Sequence, residues 1–128
     1  MNAAPKPRPK YYDLNLAHLP ASGLLSIFHR VSGALLFFPI LPALLYILQM
    51  SLGSEEGYAR LAGFLGHPVV KLALLGVVWL YAHHFFAGIR YLLLDVHIGI
   101  DKAPARASAI TVFVLGIVAT LLIGWRLW

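Results

Sequence analysis

Residues 26–54, SIFHRVSGALLFFPILPALLYILQMSLGS, decide the class of fold. From residue 31 to residue 54 there are 24 positions without a charge, and a helix needs about 20 apolar residues to cross the hydrocarbon core of a bilayer. Two more uncharged windows follow, residues 72–89 and 107–125, with 18 and 19 positions. The sequence therefore predicts an all-α membrane protein with three transmembrane helices. The predicted helices cover about residues 24–50, 68–94 and 106–127.

The composition supports a membrane protein of one domain, residues 1–128. The chain is 60% hydrophobic and 12% charged, whereas soluble domains are about 45–50% apolar and about 25% charged. A soluble helical bundle is the alternative, but 128 residues offer too small a core for this much apolar surface. Residues 1–23 form a polar N-terminal segment, which we expect to be cytoplasmic or interfacial. It lacks the apolar core of a signal peptide, so we expect it to be retained.

The residue types exclude several kinds of function. The chain has no cysteine, which excludes thiolate-held zinc, an iron–sulfur cluster or a thiol nucleophile within it. The formal charge is +5, but the basic residues form no run with stacking aromatics, so no nucleic-acid partner is expected. In a membrane protein such an excess of basic residues usually reflects the orientation of the chain in the membrane.

The distribution of basic residues predicts the orientation in the membrane. Lys6, Arg8 and Lys10 lie in the N-terminal tail, and Lys102 and Arg106 lie in the second connection. By the positive-inside rule, the tail and the second connection face the cytoplasm. The first connection and the C-terminus then face the opposite side.

Small residues and prolines predict features within the helices. Pro39 and Pro42 interrupt the backbone hydrogen bonds of the first helix, which predicts a kink. Gly116, Thr120 and Gly124 recur at a spacing of four in the third helix, which favours close approach of another helix. Chance is the alternative, because small residues are common in membrane helices.

A first group of polar residues begins the first transmembrane helix. Ser26, His29, Arg30 and Gly33 are separated by three, four and seven positions, so they share one helix face. Arg30 alone could snorkel to the headgroups. Together with a serine and a histidine, however, it predicts the wall of a polar pocket.

A second group lies on the second helix. His84, Gly88, Tyr91 and Asp95 form one stripe, while His83 points about 100° away. His84 lies about 15 Å from the predicted cytoplasmic end, near mid-membrane. It could hydrogen-bond to another helix, but a neutral imidazole is also a good axial ligand for haem iron. Because the two helices run antiparallel, both polar groups lie in the cytoplasmic half, where cations of the first helix could receive haem propionates.

These two motifs, SIFHRVSG and HHFFAGIRYLLLD, closely resemble the cytochrome b subunit of succinate dehydrogenase, the larger membrane anchor of complex II. The family pattern is Ser-x-x-His-Arg-x-[Ser/Thr]-Gly, followed by His-x-x-x-Gly-[Ile/Val]-Arg-His-x-x-x-Asp. RPKYYDLNL resembles the family's N-terminal motif more loosely. The resemblance covers nearly the whole chain, including its length and three helices.

The resemblance implies roles for particular residues. His84 matches the axial ligand of haem b, and the second axial histidine is expected from a smaller anchor subunit. Ser26 and Arg30 match residues of the ubiquinone site, while His29 and Arg30 match residues near the haem propionates. Tyr91 stands where the family usually has a histidine, so a propionate contact at this position is expected from its hydroxyl.

The resemblance also implies a function and partners. The chain is expected to bind haem b and ubiquinone together with the second anchor subunit. Electrons are expected to pass from a flavoprotein to an iron–sulfur subunit and from there to the quinone. The chain is then a subunit of an enzyme, without activity alone, in the bacterial cytoplasmic membrane. The alternatives are a fumarate reductase anchor, or a membrane scaffold or transporter subunit with no redox role.

Overall fold

The computed structural model describes residues 18–127, which are helical apart from short connections. Residues 1–17 and Trp128 lie outside the described residues, and so do the three basic residues of the N-terminal tail. The elements, in chain order, are α1 (Ala21–Leu35), a π-helical turn (Leu36–Ile40), α2 (Leu41–Gly53), α3 (Glu55–Gly66), α4 (Pro68–Asp95) and α5 (Lys102–Leu127).

Within residues 18–127, three helical stretches are long and apolar enough to span a membrane, as predicted. Residues Ala21–Gly53, Pro68–Asp95 and Lys102–Leu127 have 33, 28 and 26 residues, which we call the first, second and third spans. Even 26 residues give a helix about 39 Å long, more than the hydrocarbon thickness of about 30 Å. The first span is the least covered by the rest of the chain, with 6% of its most apolar window buried.

The first span contains an irregularity at its proline. Pro39 lies inside the π-helical turn that joins α1 to α2, and Pro42 follows in the first turn of α2. Proline has no backbone N–H and its ring collides with the carbonyl four residues earlier. A widened turn relieves that collision, so the interruption predicted from the two prolines takes the form of a π-bulge.

The first connection forms a helix that the sequence analysis did not assign. At Ser54 the chain reverses, and the Ser54 hydroxyl accepts a hydrogen bond from the Gly57 amide at 3.0 Å, capping α3. A Cβ at Gly57 would lie 2.9 Å from the Met50 carbonyl oxygen. Only glycine therefore allows α3 to fold back this closely against α2.

The predicted close approach at the small residues of the third span is confirmed. A Cβ at Gly116 would lie 3.5 Å from the Cα of His83, and one at Gly124 would lie 2.9 Å from Cδ2 of Leu75. The second and third spans therefore pack along these two glycines. The spans also share a small buried core, which consists of Leu25, Ala87, Ala109 and Val112.

Candidate functional site

The two polar groups meet between the first and second spans. The rings of His29 and His84 stack with centroids 4.3 Å apart and an angle of 13° between their planes. The His29 ring also lies 5.0 Å from that of Tyr91, and its Nε2 is 4.0 Å from where a Cβ of Gly88 would be. The stripe predicted on the second helix therefore faces the polar face predicted on the first.

One nitrogen of His84 is held by the first span. Its Nδ1 lies 3.1 Å from the backbone carbonyl oxygen of His29 and 3.2 Å from the hydroxyl oxygen of Ser32. Ser32 is 1% exposed, so this contact is closed to solvent. Histidines that bind metals usually donate their second ring N–H in this way, which leaves the other nitrogen for the metal.

The position of the His84 ring depends on a glycine. A Cβ at Gly33 would lie 2.9 Å from Cε1 of His84 and 3.4 Å from its Nδ1. Real Cβ atoms essentially never approach another atom as closely as 2.9 Å. Gly33 thus provides the space in which the imidazole lies.

A cleft of about 490 Å³ opens beside His84. Its walls come from the first span, including the π-helical turn, and from the second span. The lining residues are Gly33, Leu36, Phe37, Ile40, Leu41, Leu44, Tyr81, His84 and Phe85. The cleft is therefore apolar, with one imidazole at its edge, as a large flat hydrophobic ligand requires.

His83 faces a different side of the second span from His84, as the predicted offset of about 100° requires. Its side chain is fully buried among the rings of Phe28, Trp79 and Phe113, with centroids at 6.0, 5.3 and 5.1 Å. Neither ring nitrogen has a hydrogen-bond partner among residues 18–127. His83 therefore packs as an aromatic ring against the third span, away from the cleft.

The quinone residues expected from the sequence lie nearer the beginning of α1. Ser26 is half-buried and Arg30 is exposed. They are not among the residues that line the cleft beside His84. Ser26 precedes Gly33 by seven residues, or about 10 Å along the helix. A ligand held by Ser26 and Arg30 is therefore displaced from one held by His84.

Arg90 is a buried cation that the sequence analysis did not connect to a partner. It is 5% exposed, its Nε donates to the Ser108 hydroxyl at 2.9 Å, and its Nη2 donates to the Ala105 carbonyl at 3.0 Å. These bonds join the second and third spans. The arginine of the second motif therefore holds two helices together.

Replacing Arg90 with alanine should destabilise the packing of these spans. Loss of a hydrogen bond from a charged donor costs about 1.5–3 kcal/mol, and the variant removes both bonds between Arg90 and the third span. We expect a lower thermal unfolding midpoint for the purified complex. Arg60→Ala is the matched control, because Arg60 forms an exposed ion pair with Glu56 at 3.4 Å, and exposed pairs contribute little. Equal midpoints in both variants would contradict the role of Arg90.

Ser32 is the residue of this site that the sequence analysis missed. It was present in the motif His-Arg-x-[Ser/Thr]-Gly, but no role was assigned to it. The available signal was its spacing of three from His29, which places its hydroxyl within reach of the His29 carbonyl at 3.0 Å. Its contact with His84 depends on how the helices pack, which spacing within one helix does not reveal.

Three membrane spans with a histidine at the edge of an apolar cleft define the class of protein as a helical membrane subunit. A sequence model of the family described as succinate dehydrogenase/fumarate reductase transmembrane subunit matches residues 4–123. The chain belongs to this family, and it is a membrane subunit of the succinate dehydrogenase type.

Several relatives are named as cytochrome b556 subunits of succinate dehydrogenase. The chain is 37% identical, over 94% of its length and 97% of the relative, to the succinate dehydrogenase cytochrome b556 subunit of Coxiella burnetii. It is 29% identical to that subunit of Rickettsia felis and 28% identical to that of Rickettsia prowazekii, over 91% of this chain and 90% of each relative.

Proposed function

We propose that this chain is the cytochrome b anchor subunit of a succinate dehydrogenase, which binds haem b through His84 and ubiquinone through Ser26 and Arg30. The observation that carries this proposal is the geometry of His84. Its Nδ1 bonds to the His29 carbonyl at 3.1 Å, and its ring lines an apolar cleft of about 490 Å³. Family membership supports the same function.

The residues present fit a haem. The Nδ1 contacts of His84 leave Nε2 as the nitrogen available to iron, and Leu36, Phe37 and Phe85 give the cleft apolar walls. From this chain His84 would hold the haem iron. We assign a second ligand to a partner anchor subunit. When bound, haem accepts and returns one electron at a time.

We propose three residues for the charged edge of the porphyrin. His29 stacks on His84 and Tyr91 lies beside His29, while Arg30 is exposed at the next position of the first span. The Tyr91 hydroxyl is buried and has no hydrogen-bond partner among residues 18–127. A propionate oxygen would accept from it, which supports a contact here despite the histidine usual in the family.

Ser26 and Arg30 are proposed to bind the quinone headgroup. The Ser26 hydroxyl donates a hydrogen bond to one quinone carbonyl oxygen, which orients the ring. The guanidinium of Arg30 offsets the negative charge that develops on the quinone oxygen as electrons arrive. Ser26 is half-buried and Arg30 exposed, so a molecule diffusing in the bilayer can reach them.

The proposed partners are an iron–sulfur subunit, a flavoprotein and a second small anchor subunit. The flavoprotein oxidises succinate and the iron–sulfur subunit carries the electrons, since this chain has no cysteine for an iron–sulfur cluster. The poorly covered first span leaves an apolar surface for the other anchor and for lipid, with Phe37 64% and Phe38 72% exposed. We place the N-terminus in the bacterial cytoplasm and the C-terminus in the periplasm.

The proposed direction of the reaction is succinate oxidation. The family description covers both succinate dehydrogenase and fumarate reductase anchors. The relatives from Coxiella and Rickettsia are named as subunits of succinate dehydrogenase. We therefore favour ubiquinone reduction over fumarate reduction.

The quinone assignment predicts a selective loss of activity. Arg30→Ala should lower succinate-dependent ubiquinone reduction by about 10- to 100-fold, because a hydrogen bond from a charged donor contributes about 1.5–3 kcal/mol. Ser26→Ala should lower it by a smaller factor. Succinate oxidation with a soluble artificial acceptor should be nearly unchanged in both, since that assay bypasses the membrane site.

Ser51→Ala serves as the matched control for this assay. Ser51 lies at the other end of the first span, and its hydroxyl bonds to the Leu48 carbonyl of its own helix at 2.8 Å. The complex that carries Ser51→Ala should have the same ubiquinone reductase activity as the native complex. If Ser26→Ala and Arg30→Ala reduce quinone as fast as the control, the quinone site lies elsewhere.

A further inference from the structure

We propose that Ser32 is a positioning residue for His84, and that its hydroxyl controls how strongly the imidazole donates electrons to a bound iron. This inference rests on the proposed function, because it takes His84 as a haem ligand. It concerns the other nitrogen of the ring, Nδ1, and the two oxygen atoms that face it. Both oxygen atoms belong to the first span.

The arrangement at Nδ1 is a closed triangle of polar atoms. The Ser32 hydroxyl oxygen lies 3.0 Å from the His29 carbonyl oxygen and 3.2 Å from Nδ1 of His84. The third side, between Nδ1 and the carbonyl oxygen, is 3.1 Å. All three distances suit hydrogen bonds, and Ser32 is 1% exposed, so water does not compete strongly with them.

The chemistry of the three atoms determines which one carries each proton. A carbonyl oxygen only accepts hydrogen bonds, so Nδ1 of His84 must be protonated to bond to it. The Ser32 hydroxyl then donates to the same carbonyl, and its oxygen accepts from Nδ1. The ring is thereby held in the tautomer with a lone pair on Nε2, the form that binds iron.

Ser32 differs from Ser51 and Thr120, whose hydroxyls also bond to their own helix. Ser51 donates to Leu48 at 2.8 Å and Thr120 to Gly116 at 2.7 Å, which satisfies a hydroxyl within one helix. Ser32 makes this local bond and also reaches a histidine 52 residues away. A hydrogen-bond acceptor at the second nitrogen increases the basicity of a histidine ligand.

The hydroxyl should therefore stabilise the oxidised iron, which gains more from a basic ligand. Ser32→Ala removes one of the two acceptors of the Nδ1 proton but leaves the His29 carbonyl. We expect this variant to keep its haem b, while the haem midpoint potential moves to more positive values. Ser32→Thr keeps the hydroxyl and should retain the native potential.

The test is a redox titration of haem b in the purified complex, followed by absorbance. Ser32→Thr and Ser32→Val form a second comparison, because they have the same shape and differ in the hydroxyl. The valine variant should show the positive shift and the threonine variant should not. Ser51→Ala should behave as the native complex.

Two results would overturn the inference about Ser32. One is a potential that stays unchanged or becomes more negative in both hydroxyl-free variants. The other is an equal shift in the threonine and valine variants, which would indicate an effect of packing. Absence of haem b from the native complex would instead refute the proposed function, so the two failures are distinguishable.

Discussion

His84→Ala should remove haem b from the complex. The substitution deletes the only imidazole among residues 18–127 that lines the cleft beside the first span, so this chain would no longer supply a ligand to the haem iron. Loss of a residue that merely supports a metal ligand costs 10- to 100-fold in affinity, so loss of the ligand itself should lower haem content by more than about tenfold. The measurement is the reduced-minus-oxidised absorbance of membranes, normalised to the amount of this chain.

His83→Phe is the matched control for His84→Ala. His83 is fully buried and neither ring nitrogen has a partner within residues 18–127. Phenylalanine removes two unsatisfied polar atoms, each costing about 1–3 kcal/mol when buried, and keeps an aromatic ring. This variant should keep its haem and be at least as stable as the native chain. Haem loss in His83→Phe with retention in His84→Ala would exchange the two assignments.

Gly33→Ala should also lower haem content, although it changes no ligand. The added Cβ would lie 2.9 Å from Cε1 of His84, so the imidazole must move from its position between the two spans. Because both helices are packed at this point, we expect the His84 side chain to move rather than the backbone. We expect haem content to fall by about tenfold, the size of effect seen when the support of a metal ligand is lost.

Gly23→Ala makes the same substitution on the same helix without touching the site. Its nearest atoms, in the Pro20 ring, would be 3.6 Å away, an ordinary contact. This variant should retain haem, and alanine should favour the helix slightly. Normal haem spectra in both variants would mean that the position of His84 next to Gly33 is unimportant for binding.

The three membrane spans could be predicted from the sequence because their signal is local. An uncharged run of about 20 residues has few alternatives to a helix in lipid, where every backbone polar group must be paired within the segment. The observed helix limits differ from the predicted ones by a few residues. The first helix begins at Ala21 and the last at Lys102, whereas the sequence predicted about residues 24 and 106. These ends depend on helix capping and connections, which hydropathy does not report.

One local feature was visible in the sequence but not assigned, and the form of another could not be predicted. Ser54 followed by Glu55 and Glu56 is a typical start of a helix, because a hydroxyl cap and acidic residues favour its N-terminus. The structure has α3 there. Pro39 indicated an interruption, but whether the chain kinks or forms a π-helical turn depends on packing with the second span.

The facing of the two polar groups was predicted from helical spacing, and the structure brings them together at His29 and His84. Helical spacing could not predict that Ser32 contacts His84, or that the His84 ring lies so close to Gly33. Both depend on the distance and rotation between two helices that are about 50 residues apart in sequence. Such contacts follow from side-chain packing, which no pattern within one helix encodes.

The most direct test of the central claim is purification of the native complex through a tag on this chain. The account predicts a flavoprotein and an iron–sulfur protein in the same fraction, with a reduced-minus-oxidised spectrum of haem b. It also predicts that the fraction from His84→Ala cells lacks the haem bands. A colourless fraction without a flavoprotein would contradict the account and favour a membrane protein with no redox role.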